Sequence, residues 1–374
     1  MICIVGEADH LATTRPGKDQ MPATMTRLAR TKNVLAKAAF VNILPPQLVD
    51  DTLPIEQVRG LFTEFVDQVE IENHDFCNRI CWFCPNSFID RRSTLRLMKT
   101  GVFNKIIEAL AEIDYDGSLT WSRYHEALAD HSVFDRIAAA RQALPRATLV
   151  VISNGDYMDR STLAQLESAG VDRLILDLYL PDGKERDPDA RAKGLRQFCR
   201  RTGITLEPSN KVGYVITGTR LKGTLEIPCY TKEGISTRGG LVEVPKLATY
   251  RRRAVCLAPI RHVVIDYNGC GMLCCQTRSD AAEHEDAIIG DLNQPGYGLF
   301  HLYRDLGAAR RALLAPGEKT GACRSCDVRD DGPDKLARHE WIAKAVDAIP
   351  GAPKLVGRLW RRTFRRRFVR FSRD

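Results

Sequence analysis

No run of 18 apolar residues occurs in this 374-residue chain, so the sequence offers no membrane-spanning helix. The N-terminus also lacks the basic start and long apolar stretch of a secretion signal. Internal repeats and low-complexity stretches are absent. These absences set aside membrane spans, secreted disulfide scaffolds and solenoids, and the chain reads as cytoplasmic. Hydrophobic residues make up 44% and charged residues 27%, an ordinary globular balance. The length allows one large α/β domain with a smaller appendix.

Charge of one sign is missing from the body. Residues 351–374 hold nine Lys and Arg and a single acid, Asp374; setting these aside, from totals of 55 basic and 47 acidic, leaves 46 of each. The excess of +8 therefore sits in a tail, and a neutral body argues against a surface built to hold nucleic acid.

Twelve cysteines are the conspicuous presence, and in a cytosolic chain such numbers point to metal or catalysis. Nine of them group as Cys77, Cys81 and Cys84, then Cys256, Cys270, Cys274 and Cys275, then Cys323 and Cys326. Around them the pattern is regular. Helices are expected over 25–44 and 54–66 in an N-terminal extension, residues 1–68. From 69 to 216, strand-like runs at 69–73, 118–122, 147–153, 171–178, 204–207 and 212–216 alternate with helical periodicity at 95–113, 133–144, 161–169 and 190–201. Alternation of this kind implies parallel strands and right-handed crossovers. Beyond Gly239-Gly240 the pattern changes. Asn268-Gly269 between β-type runs predicts a hairpin over 262–275, and a helix follows near 298–314.

Cys77-Asn-Arg-Ile-Cys81-Trp-Phe-Cys84 has the spacing C-x3-C-x2-C and follows the first core strand. Three thiolates on one loop can grip three irons of a cubane and leave the fourth without a protein ligand. A zinc site is the alternative, with His74 available as a fourth ligand. The motif, with Phe83 just before the last cysteine, resembles the radical S-adenosylmethionine superfamily over roughly residues 69–330. That resemblance implies an α/β fold, a partial (β/α)6 barrel with a small C-terminal twitch-type α+β cluster domain. It implies that Cys77, Cys81 and Cys84 bind a [4Fe-4S] cluster whose open iron chelates S-adenosylmethionine. It carries Phe83, Glu126, Ser153, Asn154 and Asp177 over as cofactor contacts. Glu126 stands in Tyr124-His125-Glu126-Ala127-Leu128, where the family has a Gly-Gly-Glu-Pro-like turn; the glycines and the proline are replaced.

Cys256, Gly269 and Cys274 follow the spacing C-x12-G-x4-C, with Cys323-Arg-Ser-Cys326 further on. This resembles the truncated SPASM, or twitch, module. By that resemblance Cys256, Cys274, Cys323 and Cys326 hold one auxiliary [4Fe-4S] cluster; a structural zinc ribbon also uses two cysteine pairs. Cys270 and Cys275 are extras, and Cys3, Cys199 and Cys229 read as structural thiols. The expected division is 1–68, 69–239 for the core, 240–330 for the auxiliary module and 331–374 for a basic helical tail.

The resemblance implies an enzyme that forms a 5′-deoxyadenosyl radical and abstracts hydrogen from a substrate C–H bond. Oxidation of a small polyhydroxylated or amino-sugar metabolite is the expected reaction. The alternatives are a maturase that crosslinks or epimerises a ribosomally made peptide, and a zinc protein that binds nucleic acid through its tail. Flavodoxin or ferredoxin is the expected electron donor. The tail, with Leu355, Leu359, Phe364, Phe368 and Phe371 among its arginines, suits a membrane surface or an acidic partner.

Overall fold

The computed structural model of the chain describes residues 44–181, 184–210, 213–228, 236–315 and 317–328. The expected helix at 25–44, up to residue 43, together with Cys3, Cys229 and the tail from 331, lies outside the described residues. Helix α1 (Ile55–Phe65) leads into strand β1 (Gln68–Ile71), and then helices and strands alternate: α2 (Thr100–Glu112), β2 (Ser118–Trp121), α3 (Ser132–Ala143), β3 (Thr148–Ser153), α4 (Arg160–Ala169), β4 (Arg173–Asp177) and α5 (Pro188–Thr202). Strands β5 (Thr205–Pro208), β6 (Tyr214–Thr217) and β7 (Lys222–Glu226) follow. After these come the single turn α6 (Ala258–Arg261), β8 (His262–Ile265), β9 (Cys270–Met272), β10 (Ile288–Asp291) and α7 (Leu299–Leu314).

All ten strands join one sheet in the order β10-β9-β8-β1-β2-β3-β4-β7-β6-β5. The six central strands, from β8 to β7, run parallel. This is the α/β architecture expected of a partial barrel. Val69, Ile71, Leu119, Trp121, Leu149 and Val151 are fully buried on the three innermost strands, as sheets covered by helices require. Helix α2 buries Val102, Phe103, Ile106, Ile107 and Leu110 against the sheet, a spacing that keeps one face inward.

Two strand assignments are corrected. The runs at 204–207 and 212–216 are β5 and β6, but they pair antiparallel with each other, and β6 pairs antiparallel with β7. They form an edge meander. The fifth parallel partner is instead β7, beside β4, in a stretch (Lys-Gly-Thr-Leu-Glu) with little apolar content. The expected hairpin is β8–β9, and its turn needs Gly269 at φ +88°, a left-handed conformation that glycine adopts freely. Its first strand also pairs in parallel with β1, so the sheet runs unbroken past residue 240. Strand β9 lies close under α7: a Cβ on Gly271 would stand 2.2 Å from a methyl of Leu302.

Helices α1 and α7 close one side through aromatic packing. The Phe62 ring meets Tyr115, Phe300 and Tyr303 edge-on at centroid distances of 6.1, 5.4 and 5.2 Å. Phe62→Ala should therefore lower unfolding free energy by about 3–5 kcal/mol, read from the urea midpoint of the purified chain. A loss below about 1 kcal/mol would mean that this corner repacks.

Candidate functional site

Parallel strands send their C-terminal ends to one rim, and the loops there carry the site, as in α/β folds generally. The cysteine loop leaves β1. Residues 122–126 leave β2, Ser153 ends β3 and Asp177 ends β4. All the residues expected to contact the cofactor thus share a rim.

The loop is tied down at both ends. The Cys77 N–H donates to the Arg91 carbonyl at 2.8 Å, and the Cys84 N–H closes a turn onto the Cys81 carbonyl at 2.8 Å. The Glu126 N–H donates to the carbonyl of Phe76, just before Cys77, at 2.9 Å. Between the cysteines, Asn78 Nδ2 donates to Asp156 at 2.7 Å, and Arg79 forms a two-pronged ion pair with the same carboxylate at 2.7 and 2.6 Å. The Arg79 guanidinium also lies 5.2 Å over the Tyr179 ring. Asn154 Nδ2 donates to Asn78 Oδ1 at 2.8 Å. The loop is therefore stitched to the turns after β3 and β4.

Phe83 packs inward, stacked on Tyr179 at 5.8 Å, beside Val242 and Val244. Glu126 is buried, and both its oxygens are engaged. Oε1 accepts from Ser153 Oγ at 2.6 Å and from the Leu128 N–H at 3.1 Å, while Oε2 accepts from the Asn154 N–H at 2.7 Å. Burial pushes its carboxyl up to about 7 despite these donors. The Ser153 hydroxyl in turn accepts from the Gly155 N–H at 3.0 Å. Asp177 pairs across the sheet with Glu226 and is pushed up to about 6 by burial and by that second carboxylate. Tyr179 OH donates to it at 3.5 Å.

The donor set fits a metal cluster. Cys77, Cys81 and Cys84 are half-buried. Burial pushes the Cys77 thiol up to about 11 and raises that of Cys84, so without metal these sulfurs stay protonated at neutral pH; bound iron would reverse that. Among the described residues, no three His, Cys, Asp or Glu converge on a position for a single metal ion. Thiolates of a cubane bind separate irons, so they need not converge as ligands of one zinc do. His74 is fully buried, and its Nδ1 accepts from the Phe76 N–H at 3.1 Å. It lies edge-on to His125 at 4.9 Å, and burial pushes both imidazoles down and keeps them neutral.

The second cysteine set also comes together. Cys274 interacts electrostatically with Cys256 and Cys323, and Cys323 with Cys256 and Cys326. Burial and this mutual repulsion push Cys323 up to about 12. The fully buried Arg252 reaches the Cys326 sulfur at 3.8 Å and its carbonyl at 3.0 Å. Cys270 and Cys275 sit beside an apolar patch of Val264, Met272, Ala287 and Ala322.

A buried charge network that no motif announces joins the two sets. Arg91 faces Glu72 at 3.4 Å and Asp280 at 3.0 Å; Arg278 faces Asp280 at 2.5 Å and Asn86 at 2.9 Å; Arg123 pairs with Asp266. Tyr124, Asn86, Arg91, Arg278 and Asp280 were not expected here. Apart from Arg278 and Asp280, which stand two residues apart, the partners named here are 19 to 192 residues away, beyond the reach of local spacing.

The spacing of Cys77, Cys81 and Cys84 on the loop after β1 resembles that of the radical S-adenosylmethionine superfamily. By sequence the chain is similar to the S-adenosyl-L-methionine-dependent 2-deoxy-scyllo-inosamine dehydrogenase of Niallia circulans, 29% identical over 108 residues. The match covers 29% of this chain and 43% of that relative, so it spans less than half of the relative's length. No family model matches the chain. Among solved structures, BtrN in complex with AdoMet and 2-DOIA is 18% identical, with a TM-score of 0.49 over 66% of this chain and 87% of that one. Streptococcus suis SuiB bound to precursor peptide SuiA is 13% identical, with a TM-score of 0.42 over 68% of this chain and 69% of that one.

Ser153→Ala removes a donor to the buried Glu126 and an acceptor for the Gly155 N–H. The expected cost is about 1–3 kcal/mol in chemical denaturation, with Thr at this position losing less. An unchanged midpoint would show that Glu126 is not held by this hydroxyl.

Proposed function

We propose that the chain is a radical S-adenosylmethionine oxidoreductase acting on a carbinol carbon of a small polyhydroxylated or amino-sugar substrate. The observation that carries this reading is the thiol trio Cys77, Cys81 and Cys84, held on the loop after β1 at the rim shared by Glu126, Ser153, Asn154 and Asp177. The substrate class leans on the Niallia circulans relative, whose name describes a dehydrogenase of an aminated cyclitol. Cys256, Cys274, Cys323 and Cys326 would hold an auxiliary cluster in a module over 240–330, with the core at 69–239. A flavodoxin or ferredoxin would supply the electron.

Cys77, Cys81 and Cys84 would hold a cluster that, when bound, would supply the electron for reductive cleavage of S-adenosylmethionine and so the means of hydrogen abstraction. The chain's own residues orient and protect that event. Arg79, Asn78 and Asp156 fix the loop, and Phe83 and Tyr179 keep water from its inner side. Once a hydrogen atom has left its carbon, oxidation of a carbinol also releases a proton from oxygen and one electron, which the auxiliary cluster on Cys256, Cys274, Cys323 and Cys326 would accept. Asp177 suits that proton: it ends β4 at the rim, and a value near 6 leaves it able to take up a proton at neutral pH.

Cys81→Ala should abolish formation of 5′-deoxyadenosine in the anaerobically reconstituted protein, measured by chromatography; unchanged formation contradicts the site assignment. Iron analysis should give about eight irons per chain in the wild type and about four when Cys323 and Cys326 are both replaced by Ala. Turnover should fall as pH is lowered through about 6, because protonated Asp177 cannot accept a proton. Asp177→Asn should remove that limb of the pH–rate profile, and a limb that survives the substitution removes Asp177 from the role.

A further inference from the structure

Residues 276–280 follow Cys274 in the chain, yet they pack on the first cysteine loop. Arg278 Nη1 donates to Asn86 Oδ1 at 2.9 Å. Asn86 is two residues beyond Cys84; its N–H is hydrogen-bonded to the Cys84 thiol and its side chain to that of Cys77. The Arg278 side chain has no solvent exposure, and its guanidinium lies 4.8 Å over the Tyr124 ring. Tyr124 OH donates back to the Gln276 carbonyl at 3.1 Å. The Arg278 N–H donates to His284 Nδ1 at 3.1 Å, while His284 Nε2 donates to the Gly239 carbonyl at 3.1 Å, so this segment is fixed from behind. Asp280 accepts from Arg278 at 2.5 and 2.8 Å and from Arg91 at 3.0 Å. The positive charges of Arg238, Arg278 and Arg91 all favour the Cys84 thiolate.

We propose that Arg278, held by Asp280, is a positioning residue that sets the reduction potential of the cluster on Cys77, Cys81 and Cys84 from outside the loop that ligates it. The proposal rests on the cluster assignment above. Reduction adds one electron, hence negative charge, to the cluster. A fixed guanidinium in a water-poor site stabilises the reduced form, and a carboxylate beside it offsets that effect. The contact through Asn86 adds a second route, because hydrogen bonds to cluster sulfurs and ligands also move the potential.

The test is an EPR-monitored redox titration of the anaerobically reconstituted full chain, with S-adenosylmethionine used to mark the signal of the first cluster. Arg278→Gln should shift that midpoint to more negative potential, and Arg278→Lys should lie between Gln and wild type. Asp280→Asn, which removes a negative charge, should shift it the opposite way. Shifts of opposite sign at neighbouring positions are not produced by loosened packing. Midpoints unchanged in both variants, or moved in one direction by both, overturn the proposal. If Arg278→Gln does not fold, the sign of the Asp280→Asn shift decides alone. A wild-type chain with no signal that responds to S-adenosylmethionine overturns the cluster assignment itself, and is thereby distinguished from a wild type that responds while its variants do not shift.

Discussion

Four charged side chains with little or no solvent contact, Glu72, Arg91, Arg278 and Asp280, hold the cysteine loop in place. Burying an ion costs several kcal/mol, and pairing recovers that only with good geometry and full hydrogen bonding. Here each guanidinium serves more than one partner. Arg91 reaches Glu72, Asp280 and the Asp75 carbonyl, and Arg278 reaches Asp280 and Asn86. What the network supplies is position. The Arg91 carbonyl receives the Cys77 N–H, so Cys77 is fixed through the same residue that carries the charge. Removing one member would leave a buried unpaired charge, at a cost of about 3–5 kcal/mol.

The network can form because β1, β2 and β8 run parallel side by side. Glu72 follows β1, Arg123 and Tyr124 follow β2, and Asp266 follows β8, so their side chains meet at one rim. The pairing of β8 with β1 thus does more than extend the sheet. It brings the segment that carries Cys274, Arg278 and Asp280 over the cysteine loop. Arg123, at φ +95°, pairs with Asp266 and reaches the Thr277 carbonyl, closing the seam from the other side.

Much of this was legible in the sequence, because local periodicity and spacing are local properties. The apolar run at 147–153 became β3, the i, i+4 pattern from Val102 to Leu110 became α2, and Asn268-Gly269 became the hairpin turn. Cys77 interacts electrostatically with Cys84, and Cys323 with Cys256 and Cys326. The misses share a cause. Strand β7 has only one buried residue, Leu225, and takes its place from pairing with β4, so no hydrophobic signal announced it. The direction of β5 and β6 depended on pairing at the sheet edge, which alternation cannot reveal. Glu126 stands in the turn after β2, but its engagement by Ser153 and Asn154 depends on β2 and β3 ending level. Arg278 and Asp280 stand in a polar loop that nothing local distinguishes.

The account comes down to a trio of sulfur ligands with one iron left for S-adenosylmethionine. The most direct measurement is the EPR spectrum of the reduced, anaerobically reconstituted chain with and without S-adenosylmethionine. The account predicts a four-iron cluster signal whose shape and g-values change when S-adenosylmethionine is added, and a change that is lost with Cys77→Ala. A colourless protein carrying stoichiometric zinc, or an iron signal indifferent to S-adenosylmethionine, would contradict it.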